Sequence, residues 1–112
     1  MNEITNISPQ QLCDLVAEGR QVDLIDVRTP EEFAEVRAEG AVSVPLDTVD
    51  VAAIEAARKC DEDQPTFVIC KVGGRSMMAC EFLAQHGMKN LVNVAGGTDE
   101  WVKAGLPVHR GK

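Results

Sequence analysis

Three short apolar runs, "VDLIDV", "TFVIC" and "LVNVAGG", are separated along the chain by segments with helical spacing, and this alternation restricts the possible folds most. Strands that must wait for a helix before the next strand cannot pair as hairpins. They pair in parallel, and the intervening helices cover both faces of the sheet. The helical segments carry their own boundary signals. In "SPQQLCDLVAEG", Ser8 is placed as N-cap and Pro9 at the first helical position; Leu12, Leu15 and Val16 recur at helical spacing, and Gly19 ends the run. "TPEEF" again offers a cap, a proline and acidic residues in a first turn. "VDVAAIEAARK" reads as a further helix, "CDEDQP" (Cys60 to Pro65, with the acidic run Asp61 to Asp63) as a solvated loop, and "TDEWVKAGLPV" as a short closing helix. The expected class is α/β, in three layers, with a central parallel sheet and helices on both faces. In such a sheet a ligand sits beyond the carboxyl ends of the strands.

At 112 residues the chain is one domain, spanning 1–112. Its formal charge of −7, from 18 acidic and 11 basic residues, argues against a partner that is nucleic acid or an anionic membrane. "MNEITNISPQ" has no signal-like pattern and no apolar run approaches spanning length, so the expectation is a soluble cytoplasmic protein. The cysteines, Cys13, Cys60, Cys70 and Cys80, are then expected as free thiols. Their spacing with His86 and His109 suggests no metal site, and no cofactor is implied.

The stretch "FVICKVGGRSMMACEFLAQHG" carries the chemistry. Cys70 falls at the carboxyl end of a buried strand, and "KVGGR" turns the chain before a helix expected to begin near Ser76. Gly73 and Gly74 allow successive amides to point inward as an anion-binding nest. The helix N-terminus, Lys71 and Arg75 add positive potential, so the Cys70 thiolate should be stabilised as a nucleophile for an anionic substrate. A strand-end cysteine before two glycines is by itself more often a buried small hydrophobe and a turn. The conjunction of strand, C-x-x-G-x-R spacing and helix start favours chemistry.

These residues resemble the rhodanese-like sulfurtransferase family. "DLIDVRTPEEFAEVRAEGAVSVPL", Asp23 to Leu46, is similar to the family's first signature, and "NVAGGTDEWVKAGLPV", Asn93 to Val108, to its closing one. The resemblance implies a three-layer rhodanese-like domain. It also implies that Cys70 takes a sulfane sulfur from thiosulfate or a persulfide, holds it as a persulfide and passes it to a thiophilic acceptor, a cyanide-like anion or a thiol, including a protein thiol. Lys71, Val72, Gly73, Gly74 and Arg75 would bind the anionic donor, while Asp26, Arg28 and Ser76 would brace the loop from behind. The six-residue length from Cys70 to Arg75 is typical of the family's sulfurtransferases. Related arsenate reductases and phosphatases use a loop one residue longer. The other reading keeps the fold without turnover, as a persulfide carrier or docking module.

Val36, Arg37, Ala38 and Glu39 depart from the family's Gly-His-Ile-Pro, with Arg37 expected to be solvated. Gly96 and Gly97 suit either the pocket rim or a tight turn, Trp101 suits packing, and Met77 and Met78 are expected to pack. His86 fits a helix end, with nothing to pair it with Cys70. Cys80, four residues after Ser76 on the same helix, is expected in the core rather than as a resolving thiol. Cys13 and Cys60 have no activating neighbours.

Overall fold

The computed structural model describes residues 4–60 and 63–111; Asp61 and Glu62 of the acidic loop lie outside them. The element order is β1 (Thr5–Ile7), α1 (Pro9–Ala17), β2 (Asp23–Asp26), α2 (Pro30–Glu35), β3 (Arg37–Ala38), β4 (Val42–Ser43), a 3-10 turn (Leu46–Thr48), α3 (Val51–Ala57), β5 (Thr66–Ile69), α4 (Gly74–Gln85), β6 (Leu91–Val94), α5 (Gly97–Lys103) and β7 (Val108–His109). Five strands form a parallel sheet in the order β1-β6-β5-β2-β4. Its central strands β2 and β5 are buried at every residue, as strands covered on both faces must be.

Alternate side chains divide the core in two. Ile25, Val27 and Val68 pack with Ile54 of α3 and Ala79, Cys80 and Leu83 of α4 on one face. Leu24, Phe67, Ile69 and Val94 pack with Leu12 of α1 and Trp101 of α5 on the other. The fold is therefore the expected three-layer α/β arrangement. No described helix is long and apolar enough to cross a membrane.

The caps fall where the sequence puts them. Ser8 Oγ accepts from the Gln11 amide and Thr29 Oγ1 from the Glu32 amide; each of these residues answers with its side chain to the cap's own amide, so both starts are capping boxes. Two expectations shift. The helix after the cysteine begins at Gly74, not near Ser76, because Gly73 adopts φ 109° and caps it in the left-handed region. Val16 shares the helical spacing of Leu12 yet is 48% exposed, whereas Leu12 is fully buried.

The residues that depart from the family pattern build an antiparallel clip. Arg37 pairs with His109 and Ala38 with Val108, and the Glu39 amide donates to the Pro107 carbonyl. Arg37 is not simply solvated: its Nη1 donates to the carbonyls of Phe33 and Gly111, and its guanidinium lies 4.7 Å from the Phe33 ring centroid.

One glycine fixes how the last turn meets the cysteine strand. Gly97 has φ 59°, and a β-carbon there would lie 2.4 Å from the Cys70 carbonyl oxygen and 2.5 Å from that of Lys71. Gly74 has nothing within 4 Å of a β-carbon. Gly97→Ala is expected to lower unfolding free energy by roughly 3 kcal/mol through backbone strain and the clash, with Gly74→Ala within about 1 kcal/mol of wild type. Urea unfolding of the two variants measures the difference.

Candidate active site

β5 runs buried to Ile69 and delivers Cys70, 1% exposed, to the carboxyl edge of the sheet. The loop then doubles back over the sulfur. At Gly73 the left-handed backbone turns the amide inward, 3.0 Å from Cys70 Sγ, and Ser76 in the first turn of α4 places its Oγ at 3.3 Å. The nearby amides of Val72 and Ser76 also favour the ionised sulfur. Burial has the largest single influence on this thiol and pushes its pKa up. The Ser76 hydroxyl and the Ser76, Gly73 and Val72 amides together outweigh it, so the thiol is held below its ordinary value. The stabilisation comes from oriented dipoles around the anion rather than from a neighbouring full charge.

Behind the sulfur runs a polar chain that the sequence reading did not single out. Asn93, 3% exposed on β6, stands beside Val68 of β5 in the sheet register. Its Nδ2 donates to Asn6 Oδ1 of β1 at 3.0 Å, and its Oδ1 is in a very close contact with Ser76 Oγ. Ser76 Oγ also lies 3.1 Å from the Gly73 carbonyl. A hydroxyl has one proton to give, so Ser76 serves one of three acceptors at a time; an ionised sulfur is the charged one and draws it. The available signal was a carboxamide interrupting "LVNVA": a buried polar side chain in an apolar strand needs partners.

The other side of the loop is tied down by α5. The Thr98 amide and Oγ1 both donate to the Cys70 carbonyl, at 2.8 and 3.1 Å, and the Asp99 amide donates to the Lys71 carbonyl at 3.0 Å. Gly97 permits that approach. Gly96 and Gly97 are thus the residues of a close backbone contact.

Asp26 and Arg28 sit together at the end of β2, both buried, with Arg28 Nη2 2.8 Å from Asp26 Oδ2 and a second donor, Nε, at 3.0 and 3.1 Å from the two carboxylate oxygens. Arg28 Nη2 also donates to the Val36 carbonyl at 2.6 Å, which fastens the end of α2 to the sheet. Arg75, expected at the loop's end as a cation for the anionic donor, has a carboxylate partner from another helix. Its guanidinium makes a two-pronged pair with Glu32 of α2, Nη1 to Oε1 at 2.8 Å and Nη2 to Oε2 at 3.0 Å. The Arg75 side-chain hydrogen bonds are the largest influence on Glu32 and hold its carboxyl down to about 2. Lys71, Val72 and Gly74 are exposed on the outer side of the loop.

The remaining thiols lie in other surroundings. Cys80, on the inner face of α4, is fully buried in the core, and burial pushes it up to about 12. Cys13 is raised chiefly by burial, then by Asp14 and Glu39. Cys60 donates weakly to the Gln21 carbonyl at 3.5 Å. His86 caps the end of α4, with Nδ1 2.9 Å from the Phe82 carbonyl and its ring against Phe82. Trp101 is buried and its Nε1 donates to the Pro107 carbonyl. Met78 is 61% exposed and does not pack as expected.

The family model for the Rhodanese-like domain matches residues 8–104. The chain belongs to the rhodanese family. It is 30% identical over 105 residues to a protein of Allochromatium vinosum named sulfurtransferase, covering 94% of each chain. A Pseudomonas entomophila protein named thiosulfate sulfurtransferase GlpE is 37% identical over 90% of this chain and 87% of its own. The crystal structure of a rhodanese-like domain protein from Staphylococcus aureus superposes with a TM-score of 0.73 at 28% identity, over 88% of this chain and 91% of that one. With the rhodanese fold in place, the hydrogen bonds on Cys70 can be tested directly. Ser76→Ala is expected to slow iodoacetamide labelling of Cys70 at neutral pH by about tenfold, the effect of raising a thiol pKa by about one unit. Peptide mass mapping after limiting reagent measures it.

Proposed function

We propose that the protein is a sulfurtransferase in which Cys70 carries the transferred sulfur as a persulfide. The observation that carries this reading is the pair of donors meeting on one sulfur, the Gly73 amide at 3.0 Å and Ser76 Oγ at 3.3 Å, with the Val72 and Ser76 amides adding to the stabilisation. They lower the thiol's pKa although the sulfur is buried, and a thiolate is the form that attacks. The relatives named sulfurtransferase and thiosulfate sulfurtransferase support the same reading.

In the first half-reaction the Cys70 thiolate attacks the outer, sulfane sulfur of the donor. A new bond forms between Cys70 Sγ and that sulfur, the donor's own S–S bond breaks, and its electron pair leaves on sulfite when the donor is thiosulfate, or on a thiolate when it is a persulfide. Cys70 now holds one extra sulfur, which arrives as an anion from thiosulfate and becomes one from a protonated persulfide when its proton is lost to solvent; in that form its charge faces the same loop amides. The donors need not rearrange between thiolate and persulfide, which is the advantage of fixed dipoles over a titrating base. In the second half-reaction an acceptor thiolate or cyanide attacks the outer sulfur, and Cys70 departs again as the stabilised thiolate.

Treatment with thiosulfate is expected to add the mass of one sulfur atom to the intact protein, mapped to the Cys70 peptide and removed by cyanide with formation of thiocyanate. Cys70→Ser should keep the fold and lose both the added sulfur and turnover, because a serine hydroxyl is not ionised at neutral pH. Sulfur mapped to Cys80, or thiocyanate formed by Cys70→Ser, would assign the nucleophile elsewhere. A wild-type protein that gained sulfur from neither thiosulfate nor any persulfide would favour the docking-module reading.

A further inference from the structure

The charges around the loop carry information about which donor the site accepts, and this inference rests on the sulfurtransferase reading. Two clefts flank the loop at the carboxyl edge of the sheet. One, of about 340 Å³, takes in Lys71, Arg110, Glu35 and Asp99; the other, of about 470 Å³, takes in Arg75, Glu31 and Asp47 beside apolar Val27, Pro45 and Leu46. Two of the arginines lining these clefts are already matched, Arg28 by Asp26 and Arg75 by Glu32. Among the described residues, the clefts are then left with four carboxylates without an ion pair, Glu31, Glu35, Asp47 and Asp99, against two such cations, Lys71 and Arg110. Counted over all the lining residues, five carboxylates (Glu31, Glu32, Glu35, Asp47, Asp99) face four cations (Arg28, Lys71, Arg75, Arg110), a net charge of −1.

Arg75 stands at the end of the Cys70–Arg75 loop, in the first turn of α4, and its charge interacts with the Cys70 sulfur. Glu32 takes both ends of that guanidinium in the fork geometry that a sulfonate or sulfate group would otherwise occupy. The pair is held in place from the carboxylate side as well, because Glu32 Oε1 closes the capping box by accepting from the Thr29 amide at 3.1 Å. At the lip of the loop Val72, 63% exposed, presents an apolar rather than a polar surface to whatever enters.

We propose that Glu32 is a specificity-determining residue: by occupying Arg75 it sets the site against doubly charged donors such as thiosulfate and in favour of persulfides of thiols, which bring at most one charge at the reacting end. The favoured transfer is balanced without a dianion. The Cys70 thiolate bonds to the terminal sulfur of R–S–SH, the S–S bond of the donor breaks, and R–S⁻ leaves, so that a thiolate is consumed and a thiolate is released while the proton stays on the transferred sulfur. Thiosulfate remains a usable donor, at the cost of placing two negative charges beside Glu32.

Glu32→Gln separates the charge from the scaffold, since glutamine also closes a capping box. In a Cys70→Ser background, which cannot turn over, the Glu32→Gln change is expected to tighten thiosulfate binding by about tenfold at low salt, the effect of one charge-assisted contact released to the ligand, with the gain shrinking as salt rises. Adding Arg75→Ala should remove the gain. With the cysteine present, the ratio of kcat/KM for thiosulfate to that for 2-hydroxyethyl persulfide should rise by about the same factor in Glu32→Gln. Glu32→Ala, which gives up the cap as well as the charge, should move the ratio in the same direction. Unchanged or weaker thiosulfate binding in Glu32→Gln, or a gain that survives Arg75→Ala, would overturn the assignment. If wild type used neither donor, the sulfurtransferase reading would fall, and the binding comparison in the Cys70→Ser background would still decide the role of Glu32.

Discussion

The site depends on a close backbone approach between two turns at the carboxyl edge of the sheet. Gly97 has no β-carbon, and this lets the start of α5 come near enough for the Thr98 and Asp99 amides to take the carbonyls of Cys70 and Lys71. With those carbonyls engaged on one side, the peptide units that follow present their amides to the other, where Gly73 in the left-handed region completes the turn over the sulfur. The loop's shape is thereby set by hydrogen bonds of its own backbone and by a neighbouring helix, and it needs no ligand to hold it open to an anion. Two glycines from separate parts of the chain act as one device, because a β-carbon on Gly73 would itself lie 3.3 Å from the Gly96 amide nitrogen.

That arrangement divides the electrostatics into two layers. Immediately around Cys70 the influences are dipolar and short in range: three amides and a hydroxyl, the last positioned by Asn93 and, through it, Asn6. Further out the influences are full charges, some of which cancel in pairs, Asp26 with Arg28 and Glu32 with Arg75. The inner layer is desolvated and acts at full strength, whereas the outer one is partly exposed and screened. Thiolate formation is therefore assigned to the inner layer and choice of donor to the outer one.

Much of the scaffold was legible because it is specified locally. Ser8 with Pro9, Thr29 with Pro30, and the short strand segments ending at Asp26 and Ile69 each declare an element within a few residues. β1 was not legible: "TNI" is short and mostly exposed, and only pairing with β6 makes it a strand. The antiparallel clip of Arg37 and Ala38 with Val108 and His109 likewise depends on residues about seventy positions apart. At the site, Cys70 and its glycines were readable from spacing, but the partners of Arg75 and Ser76 were not. Glu32 is 43 residues from Arg75 and Asn93 is 17 from Ser76, so neither contact exists until the sheet brings β2, β5 and β6 side by side. The start of α4 was misplaced for a related reason: the sequence marks two glycines, and only the backbone shows that the first caps the helix and the second begins it.

Loop hydrogen bonds hold the Cys70 thiol below its ordinary pKa although the sulfur is buried. The most direct test is the pH dependence of thiolate ultraviolet absorbance, taken as the difference between the wild-type protein and Cys70→Ser so that Cys13, Cys60 and Cys80 cancel. Burial alone would move the midpoint above the ordinary thiol value of about 8.5, while the loop donors move it below. A single-proton transition is expected in the difference curve, with its midpoint below that value and displaced upward when Ser76 is replaced by alanine. A difference midpoint at or above the ordinary value in the wild-type protein would contradict the stabilisation by the loop.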